Sequence, residues 1–569
     1  MHYLILATDY DGTLATNGKV SAATLNALKQ FQKSGRKLIL VTGRQLEDLF
    51  QVFPEASLFD CVIVENGAVL YYPETREELL LGSLPPDAFV EALRSQKIDP
   101  LSVGKVIVAT WEPNEVEVLN IIRELGLDLQ VIFNKGAVMV LPAGINKASG
   151  LTEALGRMGL SLHNTVAIGD AENDLSFLKI CELSVAVGNA LPSVKNEVDW
   201  VTDGSRGKGV IELIDQLLES DLAEPLLLPK RHHVVLGKLP GEQEVYIQPL
   251  NRNILLAGTS GGGKSTLATG LLERFLDQGY QVCIIDPEGD YQNFSGTMVF
   301  GNAQQIPNPA EILTALSNPL QNIVVNLVGV KLDDRPAFLA QLLPSLLEMR
   351  VRAGRPHWIV IDEVHHMFHA DWNAAVTLPQ SVQGILMITV HPENVAVSAL
   401  SLIDTIISVK SPQKTIPDFC KAIGHALPID PLPENLVTGE AIAWFLEDEG
   451  QPFQFQIIPP RQERQRHMRN YAEGNLGDDR CFYFRGEDSQ LNLKAHNLIM
   501  FIQLAAGVDD RTWLYHLHQQ DYSSWLQNSI KDQTLAEEVM QVEQTRDISV
   551  EESRDRIKSA IEKRYTLPA

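Results

Sequence analysis

Asp9 and Asp11 stand two positions apart in Thr8-Asp9-Tyr10-Asp11-Gly12-Thr13-Leu14, directly after the apolar run Leu4-Ile5-Leu6-Ala7. If that run is a strand of a parallel sheet, both acids lie at its carboxyl end, the edge where α/β sites form. Two unpaired carboxylates are costly there, and a divalent cation that favours oxygen, such as magnesium, would neutralise them together with a substrate phosphate. Alone, the segment also fits a loop with two solvated acids. Three later segments narrow the choice. Val41-Thr42-Gly43-Arg44 adds a hydroxyl and a turn, Lys147 a cation, and Gly169-Asp170-Ala171-Glu172-Asn173-Asp174 further acids after another apolar run.

A second constellation, Gly258-Thr259-Ser260-Gly261-Gly262-Gly263-Lys264-Ser265-Thr266, lies between the apolar run Ile254 to Ala257 and a helix-like stretch from Leu267 to Phe275. It satisfies GxxxxGK[ST] in the setting that pattern requires. Gly258, Gly261 and Gly263 let backbone amides and a helix N-terminus cradle the phosphates of ATP, Lys264 reaches the β/γ oxygens, and Ser265, beside Thr266, ligates Mg²⁺. Downstream, Trp358-Ile359-Val360-Ile361-Asp362-Glu363 resembles a Walker B segment. The resemblance gives Asp362 a water-mediated hold on Mg²⁺ and Glu363 the attacking water, and an ordinary buried strand with an acidic end is the alternative. His391, after the next strand, occupies the position of a γ-phosphate sensor or is structural. Arg350, Arg352 and Arg355 read either as a finger for a neighbour's nucleotide or as solvated helix-end arginines.

These residues need strands to carry them. From Tyr3 to Leu217 short aliphatic runs alternate with amphipathic stretches (Leu25 to Lys33, Lys37 to Val41, Val166 to Ile168, Leu175 to Ile180), the βα pattern of a doubly wound α/β domain. Between about 71 and 141 a separate set (helix-like Pro86 to Arg94, strand-like Val106 to Val108, helix-like Glu115 to Leu125, Val138 to Val140) reads as an inserted α+β subdomain. Pro225 and Pro229 mark a linker over 219–230. A second α/β series over 231–460 has strands at Asn253 to Ala257, Val282 to Ile285, Ile323 to Asn326, Trp358 to Ile361, Ile385 to Thr389 and Thr405 to Val409. After Pro459-Pro460 and an arginine-rich strip over 461–469, residues 476–569 read as a helical module.

In order, the Asp9, Thr42, Lys147 and Asp170 segments resemble the four motifs of the haloacid dehalogenase superfamily. The resemblance implies that Asp9 attacks phosphorus and forms an aspartyl-phosphate, while Asp11 is general acid and base. Thr42 and Lys147, assisted by Asn173, would hold phosphoryl oxygens. Asp9, Asp170 and the carbonyl of Asp11 would ligate Mg²⁺, with Asp174 supporting that shell. An insertion between the Thr42 and Lys147 motifs resembles the type IIB (Cof-like, sucrose-phosphatase-like) cap, and Glu65-Asn66-Gly67-Ala68 resembles the segment before it. That implies a small phosphorylated metabolite, a sugar phosphate by default. Ile285-Asp286-Pro287-Glu288-Gly289-Asp290-Tyr291, with the P-loop and Asp362-Glu363, resembles HerA/FtsK-like ATPases of RecA-like fold, and implies ATP hydrolysis and self-association through that domain.

At 569 residues, with about 100 to 200 per domain, the chain is modular. A net charge of -25 repels phosphate backbones and anionic membranes, which disfavours nucleic acid. Five dispersed cysteines without a CxxC pair indicate a reduced, cytoplasmic setting. The N-terminus reads as a strand rather than a signal peptide, and no apolar run reaches the roughly 18 residues of a membrane span. His365, His366 and His369 have helix-compatible ligand spacing but not the HExxH order. His232-His233 has no partner at metal spacing. His516, His518, Tyr522 and Trp525 read as packing. Together these features describe a magnesium-dependent phosphatase joined to an ATPase. The alternatives are a nucleic-acid motor with an end-trimming phosphatase, a polynucleotide kinase-phosphatase, and a nucleotide sensor that only switches conformation.

Overall fold

The structure, a computed structural model, describes residues 2–222, 230–249, 252–259, 263–369, 382–446, 450–461, 481–486, 491–530, 532–545 and 548–565. It divides into two compact units, Met1–Arg461 and Gln462–Ala569.

The first unit holds two large sheets and a smaller inserted one. In one, Trp200–Val201, Leu183–Ala186, Thr165–Gly169, Ile5–Asp9, Lys37–Val41 and Cys61–Val64 pair parallel in that order, and Val69–Tyr72 and Glu77–Leu80 extend it antiparallel. Ile5–Asp9 is central and wholly buried, as its unbroken apolar run requires of a strand covered on both faces. Helices Ala22–Lys33 and Gly207–Ser220 pack together, as do Lys147–Arg157 and Leu175–Ile180. Parallel pairing gathers the carboxyl ends of Ile5–Asp9, Lys37–Val41 and Thr165–Gly169 on one edge, so Asp9, Thr42 and Asp170 converge although they are far apart in sequence.

The inserted layer is an antiparallel sheet, Ser102–Val103, Val108–Trp111, Ala137–Pro142 and Leu129–Asn134, with helices Asp87–Ser95 and Glu115–Glu124. Its own core contains Phe89, Leu93, Val118, Ile121 and Val140. It starts later than residue 71 anticipates, because Val69–Tyr72 and Glu77–Leu80 belong to the main sheet. Val106 and Ile107, read as strand, lie before Val108–Trp111 and join the main core. Their β-branched apolar run resembles a strand, but their N–H groups bond the Glu65 carboxylate instead of a neighbouring strand.

In the second sheet Thr405–Val409, Asn253–Gly258, Ile385–Thr389, Trp358–Ile361, Val282–Asp286, Asn322–Asn326 and Thr297–Phe300 run parallel in that order. Glu440–Phe445, Phe453–Ile457, Val234–Lys238 and Glu244–Ile247 continue it antiparallel. Alternate residues enter opposite cores: Leu255, Ala257, Ile359 and Ile361 one, Ile254, Leu256, Trp358 and Val360 the other.

The connection between the sheets is shorter than 219–230. Glu219 and Ser220 close the helix Gly207–Ser220, and Asp221 pairs with Arg36 at 2.9 Å. Residues 223–229 of the expected linker lie outside the described residues, as do residues 462–469 of the arginine strip and 476–480 of the expected module. Among the described residues of the second unit, an antiparallel pair, Phe482–Phe484 and Leu493–Ala495, comes ahead of the helices Leu498–Gly507, Asp510–Gln519, Asp521–Trp525, Gln533–Glu543 and Val550–Tyr565. His516, Tyr522 and Trp525 are buried there and His518 is exposed. Tyr522 donates to the carbonyl of Trp513 at 3.1 Å. Among the described residues no helix is long and apolar enough to cross a membrane.

Candidate active site and nucleotide site

Lys147 opens the helix Lys147–Arg157. Asn146 caps that helix by accepting from the N–H groups of Ala148 and Ser149, while its own N–H donates to Ser149 Oγ. The capping box fixes where the chain enters the helix and so where the ammonium projects. A lysine at a helix N-terminus opposes the helix dipole. Here Asp9 and Asp174, each 2.6 Å from Nζ, outweigh it. Burial alone would lower Lys147, but the charges of Asp174 and Asp9 hold it above its usual value. One buried ammonium thus faces two buried carboxylates. Burial, then repulsion from Asp174, pushes Asp9 up to about 7 against the pull of Lys147.

Asp174 uses both oxygens inside the site: Oδ2 accepts from the N–H groups of Asp170 and Ala171, and Oδ1 meets Lys147. It therefore braces the loop and the lysine. Ligand atoms of Asp9, Asp170 and Asp174 lie within 4.8 Å of one another. Gly12 shows how tight the junction is: its φ is +96°, and a Cβ there would lie 2.3 Å from Asp170 Oδ2. Thr42 is buried past the end of Lys37–Val41, its hydroxyl accepting from the Arg44 N–H at 3.2 Å. Asn173 donates to Asn66 Oδ1 at 3.4 Å, and its own Oδ1 is buried without a hydrogen-bond partner.

Three residues enter the site that the motif reading does not place there. Arg44 grips Asp11 bidentately, Nε to Oδ2 at 2.6 Å and Nη2 to Oδ1 at 2.9 Å, and also holds Asp48. Lys135 projects from the turn between Leu129–Asn134 and Ala137–Pro142, where Lys135 and Gly136 both have positive φ. Its ammonium reaches Asp170 Oδ2 at 2.9 Å and the carbonyl of Asp11 at 3.3 Å, both oxygens that the motif resemblance assigns to a cation. Glu65 accepts from the N–H groups of Lys105, Val106 and Ile107 at 2.8–2.9 Å, tying the main sheet to the start of the inserted layer. The sequence signal for Lys135 was the Asn-Lys-Gly hairpin pattern, and for Glu65 an acid in an otherwise apolar stretch.

In the second sheet Gly258 and Gly263 take φ +150° and +97°, and Lys264 opens the helix Lys264–Asp277. Lys264 Nζ donates to the carbonyls of Gly258 and Thr259 at 2.8 and 3.1 Å. Ser265 and Thr266 follow in the first turn. Gly261 lies outside the described residues. Asp362 and Glu363 end the strand Trp358–Ile361, with Ile385–Thr389 between that strand and the Lys264 strand. Glu363 sits at φ +42°, and burial, then Asp362 and Glu288, pushes its carboxyl up to about 8 against Lys264. Thr389 Oγ1 lies 3.1 Å from His365 Nδ1 and accepts from the His391 N–H at 3.0 Å. The His391 ring turns to Glu393 at 3.1 Å.

Two of the three arginines follow neither expectation. Arg350 spends its guanidinium on the carbonyls of Pro356, Gln383, His357 and Gly384. Arg355 is 2% exposed and bonds the carbonyl of Gly159 in the first domain with Gln281 Oε1 and the carbonyls of Leu316 and Ser317 in the second. Only Arg352, paired with Glu348, is an exposed helix-end arginine. The reading of His232 is also overturned: its partners, His163 and Glu182, come from the other domain.

Residues 6–103 and 120–214 match the family model described as haloacid dehalogenase-like hydrolase, and residues 234–342 match the central domain of helicase HerA. Phosphoglycolate phosphatase 2 of Saccharolobus solfataricus is 27% identical over 230 residues, 39% of this chain and 95% of that protein. The phosphoglycolate phosphatase of Methanothermobacter thermautotrophicus is 28% identical over 223 residues, 37% and 98% respectively. Among solved structures, a haloacid dehalogenase-like hydrolase from Bacteroides thetaiotaomicron is 22% identical, with a TM-score of 0.34, covering 38% of this chain and 99% of that one. The chain thus joins a haloacid dehalogenase-like hydrolase domain to a HerA-type central domain.

Proposed function

We propose that the first domain is a magnesium-dependent phosphatase of small phosphate esters acting through an aspartyl-phosphate on Asp9, and that the second binds and hydrolyses ATP. The observation that carries the first part is the buried Asp9–Lys147–Asp174 group, where carboxylates outnumber the buried ammonium. An oxygen-only donor set with excess negative charge suits magnesium, and the Lys135 ammonium already seated on Asp170 and the Asp11 carbonyl marks those oxygens as a place for positive charge. Asp9, Asp170 and the Asp11 carbonyl would hold the ion. When bound, it supplies charge that screens Asp9 from the phosphoryl oxygens it must approach.

Asp9 attacks phosphorus, and Lys147 and Thr42 take up charge on the phosphoryl oxygens. Freed from Arg44 and protonated from solvent, Asp11 gives that proton to the departing oxygen and then regains one from the water that opens the acyl phosphate. The inserted layer, tied down through Glu65, excludes bulk water and limits the substrate to small esters. The names of the relatives favour a phosphorylated hydroxy acid over a sugar phosphate. In the second domain Lys264 and the P-loop amides hold phosphates, Ser265 and Asp362 would hold the metal, and Glu363 takes a proton from the attacking water.

Release of phosphate from an aryl phosphate tests the first reading: Asp9→Asn is expected to lose at least about 10³-fold, and unchanged activity rejects it. ATP turnover tests the second, with Glu363→Gln losing about 10²-fold or more. No turnover by the wild type leaves a nucleotide sensor. The HerA match supports a further reading, a motor on nucleic acid. Absence of DNA binding at low salt would count against it. Screening phosphoglycolate and sugar phosphates with and without ATP addresses substrate and coupling together.

A further inference from the structure

The seam between the hydrolase and P-loop domains gathers a second set of ligand side chains that neither site uses. His163, in the turn Leu162–Asn164, and Glu182, just before Leu183–Ala186, come from the first domain, and His232, in the turn Lys230–His232, opens the second. All three are buried, and their ligand atoms lie within 4.8 Å of one another.

Counting protons exposes a conflict. His163 Nδ1 is 2.6 Å from Glu182 Oε2, and its Nε2 is 2.8 Å from the carbonyl of Gln278. Both nitrogens face acceptors, whereas a neutral ring carries one N–H. His232 Nε2 lies 3.1 Å from the carbonyl of Cys181, with Arg231 Nε also 3.1 Å from it. Its Nδ1 is buried without a hydrogen-bond partner and points at Glu182 Oε2 from 3.9 Å. The Arg231 Nε–H can donate to His232 Nε2 only while that nitrogen bears no proton; when instead each Nε2–H donates to its carbonyl, with Arg231 held by Asp199 and the Cys181 carbonyl, both Nδ1 lone pairs converge on one carboxylate. Carbonyls that orient ring N–H groups in this way are a regular support of imidazole ligands. A gap of 3.9 Å fits two ligand bonds of about 2.0–2.2 Å meeting at one ion. Burial disfavours the Glu182 anion, yet its hydrogen bond to His163 and the nearby imidazoles hold its carboxyl below the usual range. Tyr280, stacked 3.8 Å from His163, closes the group from one side.

We propose that His163, Glu182 and His232 bind one divalent metal ion, zinc by the chemistry of an imidazole-rich donor set, and that this ion clasps the two domains together. The short His163–Glu182 contact is the proton-bearing pair that the ion replaces on binding. His163 and Glu182 lie at the starts of Thr165–Gly169 and Leu183–Ala186, whereas Asp170 follows the carboxyl end of the first of these strands, and the clasp shares no residue with either phosphate-handling site.

The test is zinc content by mass spectrometry of the full chain after loading with zinc and dialysis, together with melting with and without zinc. Wild type and Asp9→Asn are expected to keep about one equivalent, and His232→Gln and Glu182→Gln well under half. Zinc should raise the melting temperature of wild type and leave that of His232→Gln unchanged. Failure of loaded wild type to keep zinc, or retention by His232→Gln with an unaltered melting response, overturns the proposal and leaves a proton-linked His163–Glu182 pair. If neither variant folds, the wild-type zinc content decides alone.

Discussion

Lys135 sets a balance at the catalytic edge. Its ammonium rests on Asp170 and on the carbonyl of Asp11, so it competes with any cation for those oxygens. Nearly half of this lysine is exposed, so the competition is modest and screened by salt. Lys135→Met is expected to lower the magnesium concentration for half-maximal activity by roughly 2- to 5-fold. If, with the ion in place, Lys135 instead pairs with a substrate's own carboxylate, the same variant raises KM for a carboxylate-bearing phosphate ester by about 10-fold and leaves KM for an aryl phosphate without a carboxylate nearly unchanged. Titrating magnesium for both substrates checks both effects; identical half-saturation in the variant would show that Lys135 does not compete. Such a role was not legible from Lys135 itself, because one lysine in a hairpin turn looks like any solvated turn residue until the strands aim it.

Glu65 matters through the elements it joins. Its carboxylate takes three backbone N–H groups at the start of the inserted layer, which explains why Val106 and Ile107, apolar and β-branched, are not part of a strand ladder. Glu65→Gln replaces one acceptor oxygen with a donor facing an N–H. It is expected to cost about 1–3 kcal/mol and to loosen the layer, seen as a lower melting temperature and a raised KM with kcat less affected. An unchanged KM would mean the layer is held by its other contacts. The alternation of apolar runs made the strands Lys37–Val41, Trp358–Ile361, Ile385–Thr389 and Thr405–Val409 readable to the residue. Pairing was not readable: Glu77–Leu80 completes the main sheet although its sequence, Glu-Glu-Leu-Leu, carries no strand alternation.

Across the whole first unit, the seam between domains includes histidines and two arginines, Arg231 on Asp199 and Arg355 on Gly159. His357 accepts from the Gln281 N–H at 2.8 Å and is held well below the ordinary imidazole value of 6.5, first by burial and then by the charges of His163, His2, Arg355 and Arg350. Because the folded ring resists protonation while the unfolded one accepts it, this contribution is complete above pH 6.5 and is lost as pH falls toward the folded value. Melting is therefore expected to drop more steeply between pH 7 and pH 5.5 in wild type than in His357→Gln, and equal slopes would remove His357 as a source. The sequence alone carries what depends on local order: the apolar runs, the GxxxxGK[ST] pattern between a strand and a helix, and the order of the segments holding Asp9, Thr42, Lys147 and Asp170. Only the tertiary structure decided what depends on meeting across the chain. It put Arg355 on Gly159, His232 on Glu182, Arg44 on Asp11 and Lys135 on Asp170. The reason is physical: strand and helix periodicity is written between near neighbours, whereas the partner of a buried charge is chosen by desolvation cost and by whichever backbone brings an opposite charge or an acceptor within reach.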